Sequence, residues 1–153
     1  MRLLLIAMLC LIALPVDGCA GKRFEELKER ADYVVYLRTE LGQPQFEAFL
    51  IEGREQVAAI VEAIQADSRT PDPWPGDIDG RCATDIILFV NSGEQRVIRE
   101  FRILRRGILV LNGEDHSSAH TMRALRAAKS KKLSPQEIVE KTFDPAYHPE
   151  LIE

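Results

Sequence analysis

The sequence predicts one small α+β domain, in which helices pack on one face of an antiparallel sheet of about five strands. Three observations support this prediction. The 153 residues suffice for a single domain with a modest core. Residues 54–67 repeat apolar side chains at helical spacing, whereas residues 84–112 contain three consecutive apolar segments joined by short turns. The predicted order of strand, strand, helix, three strands and two helices is typical of the α+β class.

The chain divides into four segments. We expect a signal peptide at 1–18, a tether or short helix at 19–31, the α+β domain at 32–143 and a C-terminal tail at 144–153. The second segment is highly charged, but Phe24 and Leu27 stand at helical spacing within it. The tail carries two prolines, which is typical of a loosely packed chain end.

The first half of the domain predicts a β-hairpin. Val34, Val35 and Tyr36 in succession favour a strand, although the same stretch also continues a helical pattern. Gly42 and Pro44 then mark a turn. The following segment, QFEAFLIEG, alternates as an extended strand would, with Phe46, Ala48 and Leu50 on one side.

A helix is clearest at residues 54–67. One apolar stripe at i, i+3, i+4 and i+7 runs along it, formed by Val57, Ile60, Val61 and Ile64. A long surface loop follows at 68–82, where three prolines and two glycines break all periodicity. From residue 84 the chain becomes β again and forms an antiparallel meander.

Two helices are predicted near the end of the domain. The segment SSAHTMRALRAAKSKK indicates a helix with Met122 and Leu125 directed inward and a basic last turn. The next helix has a strong start signal. Ser134 stands at the cap position, Pro135 at the first helical position, and Glu137 three residues after the cap, as in a capping box.

Charge and cysteine content exclude several classes of protein. The net charge of −4 and a pI near 5.5 lack the basic balance that nucleic-acid binding requires. The three cysteines, Cys10, Cys19 and Cys82, form neither a dense disulfide scaffold nor a zinc-binding spacing. We therefore expect no nucleic-acid partner and no cofactor or resident metal.

The N-terminus has the pattern of an export signal. Arg2 precedes an apolar run from Leu3 to Leu14, and Pro15 ends it. Such a run of about twelve residues is shorter than the roughly 20 that a permanent membrane helix needs. The sequence therefore predicts export from the cytoplasm.

The cleavage region resembles the lipobox of bacterial lipoprotein precursors. Val16, Gly18 and Cys19 match its aliphatic, small and cysteine positions, whereas Asp17 departs from the small or apolar residue usual between them. The resemblance covers only the signal region. It implies that Cys19 is lipidated, becomes the first mature residue, and anchors the protein on the extracytoplasmic side of the membrane. The alternatives are ordinary secretion, with Cys19 free to pair with Cys82, and an uncleaved anchor.

Candidate site residues are few. His116 and His120 would share one helix face if the helix began by His116, with Glu114, Asp115 or His148 as a possible third metal ligand. A cap at Ser117 or Ser118 would instead leave His116 outside the helix, and two exposed histidines are the simpler interpretation.

Four further features are weaker candidates. Cys82 is a candidate reactive thiol, because the neighbouring Arg81 would favour the thiolate. A single cysteine at the start of an apolar strand is more typically a small core residue. Trp74 lies between prolines, which suits a rigid binding contact, although a single Trp more often covers the core. Aspartates in its loop lack the order of a calcium-binding loop. The basic run, comprising Arg123, Arg126, Lys129, Lys131 and Lys132, suits either an anionic surface or a solvated helix end.

Two function classes remain open at this stage. The first is a non-catalytic envelope module that binds or positions another envelope protein or a cell-wall component. The second is a small exported hydrolase or metal-dependent enzyme built around His116, His120 and Cys82. A related possibility is an inhibitor of an envelope enzyme that acts through the Trp74 loop. The missing nucleophile elbow, phosphate loop and paired carboxylates favour the first.

Overall fold

The computed structural model describes residues 17–39, 46–71, 83–104 and 107–147. Within these ranges the helices are α1 (Asp17–Arg30), α2 (Arg54–Asp67), α3 (Ala119–Ala127) and α4 (Pro135–Thr142). The strands are β1 (Tyr33–Thr39), β2 (Phe46–Glu52), β3 (Ala83–Asn91), β4 (Arg96–Leu104), β5 (Ile108–Leu111), β6 (Glu114–Ser117) and β7 (Lys131–Leu133). A short 3₁₀ turn, Pro145–Tyr147, follows α4.

The strands form one antiparallel sheet of seven strands in the order β6-β5-β4-β3-β1-β2-β7. The α+β class is confirmed, but the expected count of about five strands was too low. The two additional strands, β6 and β7, lie at the two edges of the sheet. Both are short and polar, so neither shows the apolar alternation that marked the other strands.

A tight turn produces the edge strand β6. Asn112 and Gly113 have positive φ angles of 52° and 82°, the conformation of a type I′ hairpin turn. Asn and Gly tolerate this left-handed backbone better than other residues, so the chain reverses here and β6 pairs along β5. At the other edge, β7 pairs with residues 48–50 of β2.

Helices cover both faces of the sheet, which corrects the expectation that they pack on one. In β1, Val34 and Tyr36 face one core, whereas Val35 and Leu37 face a second core on the opposite side. All four side chains are buried. A central strand that is apolar on both sides needs cover on both sides, and α4 supplies the second layer.

The larger core lies between the sheet and helices α1, α2 and α3. The predicted stripe of α2 is confirmed, since its four apolar residues are fully buried. Helix α1 contains most of the segment expected to be a tether or a short helix. Its Leu27 is buried and Phe24 packs against the same core, and Lys28 Nζ lies 3.2 Å from Glu62 Oε1 of α2. This part of the chain is therefore packed on the domain.

The smaller core lies under α4. Ile138 is buried there, and Ser134 with Glu137 forms the predicted capping box at the start of the helix, with Pro135 in its first turn. Tyr147, in the segment expected to be a loose tail, packs against this core and donates a hydrogen bond to Glu100 Oε2 at 2.7 Å. Tyr147 thus contacts the sheet.

Helix α3 is shorter than the sequence indicated. It ends at Ala127, after which Lys131 and Lys132 lie in β7 and pair with Glu137 and Glu47. The basic run is therefore divided between a helix and an edge strand. None of the helices in the described ranges combines the length and hydropathy needed to cross a bilayer.

Candidate functional site

An open groove of about 560 Å³ lies on the sheet face that carries α1 and α2. One wall is α1, the end wall is the last turn of α2 and the residues after it, and the floor and far wall come from β4, β5 and β6. Its volume falls within the range of small-molecule sites in proteins, about 300–1,000 Å³. We call this feature the arginine groove because of the residues around it.

The floor of the arginine groove is apolar. Phe24 and Leu27 contribute from α1, where their spacing of three residues places them on the helix face toward the sheet. Ile98 and Phe101 of β4 and Leu111 of β5 complete it. The side chains that anchor α1 to the core thus also form the bottom of the groove.

Four arginines line the groove, against two glutamates. The arginines are Arg23, Arg30, Arg69 and Arg99, and the glutamates are Glu26 and Glu114. This sign of charge stands out on a chain whose net charge is −4. A local excess of guanidinium groups above an apolar floor favours ligands that combine an anionic group with an apolar part.

The four arginines differ in how they are engaged. Arg30 bridges Glu26 at 3.0 Å and Glu94 at 2.7 Å, and its hydrogen bond lowers the pKa of the Glu94 carboxyl. The Arg99 guanidinium lies 5.4 Å from the ring centroid of Phe101, a cation–π distance. Arg23 and Arg69 are exposed, and neither guanidinium group has a hydrogen bond or ion pair within the described ranges. Arg23, Arg69 and Arg99 are thus free to bind an anion.

His116 lies in β6, at the wall of the groove, and not on a helix. Its side chain is 12% exposed, and its Nε2 lies 3.8 Å from Glu114 Oε2. The ring Nδ1 is buried and has no hydrogen-bond partner among the described residues. A buried polar atom in this state costs about 1–3 kcal/mol. His116 therefore lines the groove, while its Nδ1 lies buried behind the groove surface.

His120 has a structural contact instead. Its Nδ1 lies 2.8 Å from Asp67 Oδ1, and its backbone N–H donates to the same oxygen at 3.1 Å. Asp67 ends α2, and its carboxylate caps the first turn of α3. The capping side chain of α3 therefore comes from another helix. Ser118 occupies the N-cap position of α3, but its side chain makes no capping hydrogen bond.

The helical pairing of His116 and His120 is wrong, because α3 begins at Ala119 and leaves His116 in the preceding strand. Among the described residues, no group of three His, Cys, Asp or Glu side chains is placed to hold a metal ion. Trp74, Cys82, His148 and the aspartates of the 72–79 loop lie outside the described residues. Cys19 lies in the first turns of α1.

A second polar group lies inside the core. The Tyr36 hydroxyl donates a short hydrogen bond to Asp85 Oδ1, and Thr84 Oγ1 donates to Asp85 Oδ2 at 2.9 Å. Burial raises the pKa of Tyr36, and the Asp85 carboxylate raises it further. The pair joins β1 to β3, and we interpret it as a structural element that satisfies a buried carboxylate.

Sequence reasoning did not find the arginine groove. Its residues come from α1, α2, β4, β5 and β6, so no local motif unites them. One signal was present, since the alternating strand VIREFRIL carries arginines among its apolar residues and so indicates a charged rim. Comparison with protein-family models, curated proteins and solved structures found no match to this chain.

Proposed function

We propose that this chain is an exported bacterial envelope protein, anchored through lipid at Cys19, whose folded domain is a non-catalytic binding module. Its binding site is the arginine groove, and its ligand is an anionic molecule with an apolar part. One observation supports the proposal above others. Arg23 at the groove lies one helical turn after Cys19 in α1, a rise of about 6 Å.

The packing of α1 strengthens this link between anchor and groove. Leu27 is 7% exposed and Phe24 packs on the same core, so α1 is fixed to the domain. A lipid on Cys19 would then hold the groove close to the membrane surface. A long flexible tether would not restrict the orientation of the domain in this way.

The alternative of an exported enzyme is less well supported. His120 is engaged with Asp67, and His116 stands on a separate element, so the two do not form the shared helix face that a metal site would have used. The arginine groove offers guanidinium groups and apolar surface, which bind and orient a ligand. An inhibitor acting through Trp74 draws on residues outside the described ranges.

Fractionation of a bacterial host that processes lipoproteins tests the proposal. The full chain should be found in the membrane fraction, and a Cys19→Ala variant should leave it. Cys82→Ala is the matched control, because it also removes one thiol, and it should remain membrane-bound. Equal distribution of all three proteins would contradict anchoring at Cys19.

A further inference from the structure

The geometry points to an anionic phospholipid as the ligand of the arginine groove. Its phosphate lies among Arg23, Arg69 and Arg99, and part of an acyl chain covers the apolar floor. This inference rests on the proposed function, which it deepens by naming the class of ligand.

The charge distribution favours an anionic ligand that the arginines contact at close range. Arg23, Arg69 and Arg99 are exposed at the groove, whereas Arg30 is already held by two glutamates. The whole chain is acidic, at −4, so it has no general attraction to a negative surface. Because exposed charges are screened beyond about 8 Å at physiological salt, the arginine cluster acts only at close range.

The floor selects a ligand with an apolar part. Phe24, Ile98 and Leu111 line the groove. Phe24 and Ile98 are only partly buried, so part of their apolar surface is open to a ligand. A small inorganic anion would bind the guanidinium groups and leave this apolar surface in contact with water. An acyl chain would cover it, with a gain of about 25 cal/mol for each Å² removed from water.

The position of the groove selects a membrane lipid. Gly21 and Arg23 both line it, and Cys19 precedes them by two and four residues in the same helix. An anchor at Cys19 therefore holds the groove at the height of lipid headgroups. Anionic headgroups attract basic residues near the surface, by up to about fivefold in affinity for each charge.

Binding of a monomeric short-chain lipid tests this inference. The probe is dihexanoyl phosphatidylglycerol below its micelle concentration, titrated by calorimetry into the full chain carrying Cys19→Ala. Dihexanoyl phosphatidylcholine and inorganic phosphate are titrated in parallel. We expect the anionic lipid to bind at least about tenfold more tightly than either.

Charge variants locate the site. Arg23→Gln and Arg69→Gln should each weaken binding of the anionic lipid about fivefold. Arg123→Gln is the matched control, because Arg123 is an exposed arginine of α3 and does not line the groove. It should bind as the parent chain does. Unchanged melting temperatures show that the variants are folded.

The inference would be overturned by no binding of the anionic lipid, by equal binding of the two lipids, or by equal weakening in Arg69→Gln and Arg123→Gln. Inorganic phosphate that binds as tightly as the lipid would also overturn it, since the groove would then be a simple anion site. The test uses a chain without the anchor cysteine. Failure of lipid binding is therefore distinct from failure of anchoring, which fractionation reports.

Discussion

The carboxylate of Asp67, the last residue of α2, accepts two hydrogen bonds from Thr121 in the first turn of α3. The distances are 2.8 Å from the backbone nitrogen and 2.7 Å from the hydroxyl. Both residues are fully buried. The positive end of the α3 dipole and these donors stabilise the buried charge. The contact fixes the end of α2. Arg69, which follows Asp67 by two residues in the chain, lines the groove.

Replacing Asp67 should destabilise the domain strongly. Asp67→Ala leaves the Thr121 N–H and hydroxyl buried without an acceptor, and we expect a loss of about 3 kcal/mol in the free energy of unfolding. Asp67→Asn keeps one acceptor oxygen and should lose less. Urea denaturation measures both. Glu29→Ala, an exposed change in α1, is the control and should have little effect. Equal losses in Asp67→Ala and this control would contradict the capping role.

The capping box of α4 should make stability depend on acid pH. A backbone hydrogen bond from Ser134, with the Lys131 ammonium and the Ser134 hydroxyl, lowers the pKa of Glu137 from 4.5 to about 2. A depressed carboxyl pKa contributes stability that is present above the unfolded value and is lost as pH falls through the folded value. The difference in stability between the parent and Glu137→Gln should therefore shrink between pH 4.5 and 2.

Ser134→Ala measures the other half of the same box. It removes the hydroxyl acceptor for the Glu137 N–H, and the expected loss is about 1 kcal/mol in urea denaturation at pH 7. Ser130→Ala is the matched control, since Ser130 is exposed and precedes β7. A loss confined to Ser134→Ala supports the cap. Equal losses in the two variants would contradict it.

The tyrosines should resist ionisation in the folded protein. Burial raises the pKa of all three, Tyr33 to about 12 and Tyr36 and Tyr147 further. Ultraviolet titration should show almost no tyrosinate at pH 10.5 in the native protein, and substantial tyrosinate in urea. A raised tyrosine pKa gives stability that is complete below the unfolded value, near 10, and lost as pH rises through the folded value. Normal titration of the native protein would contradict this burial.

Gln95→Gly should stabilise the turn between β3 and β4. Gln95 is exposed and has a φ of 53°, which is strained for a residue with a Cβ atom. We expect a gain of about 1 kcal/mol in the free energy of unfolding. Gly113→Ala is the converse control. Its φ is 82° and the added Cβ meets no atom within 4 Å, so a loss reports backbone strain alone. A destabilised Gln95→Gly would contradict the interpretation.

Local patterns predicted the central elements well. The stripe of α2 and the capping box of α4 are determined by neighbouring residues, and both were confirmed. The strand count failed at the edges, where β6 and β7 are polar. The turn signal Asn112-Gly113 was present in the sequence and, with its preference for left-handed backbone, indicates the β5–β6 hairpin.

The remaining errors arose from long-range contacts. Cover on both faces was predictable in principle, because near-continuous apolar runs in β1 and β3 are typical of strands buried on both sides. The cap on α3 was not predictable from local sequence, since Asp67 lies more than 50 positions before Thr121. The arginine groove likewise unites residues from distant segments. Only the fold brings these groups together.

Anchoring at Cys19 is the central claim, and the intact mass of the membrane-bound protein tests it most directly. The protein is purified from the membrane fraction of a bacterial host that processes lipoproteins, and its mass is compared with that of the unmodified chain. We predict a species that begins at Cys19 and carries added acyl mass. A species that begins elsewhere, or one without acyl mass, would contradict the account.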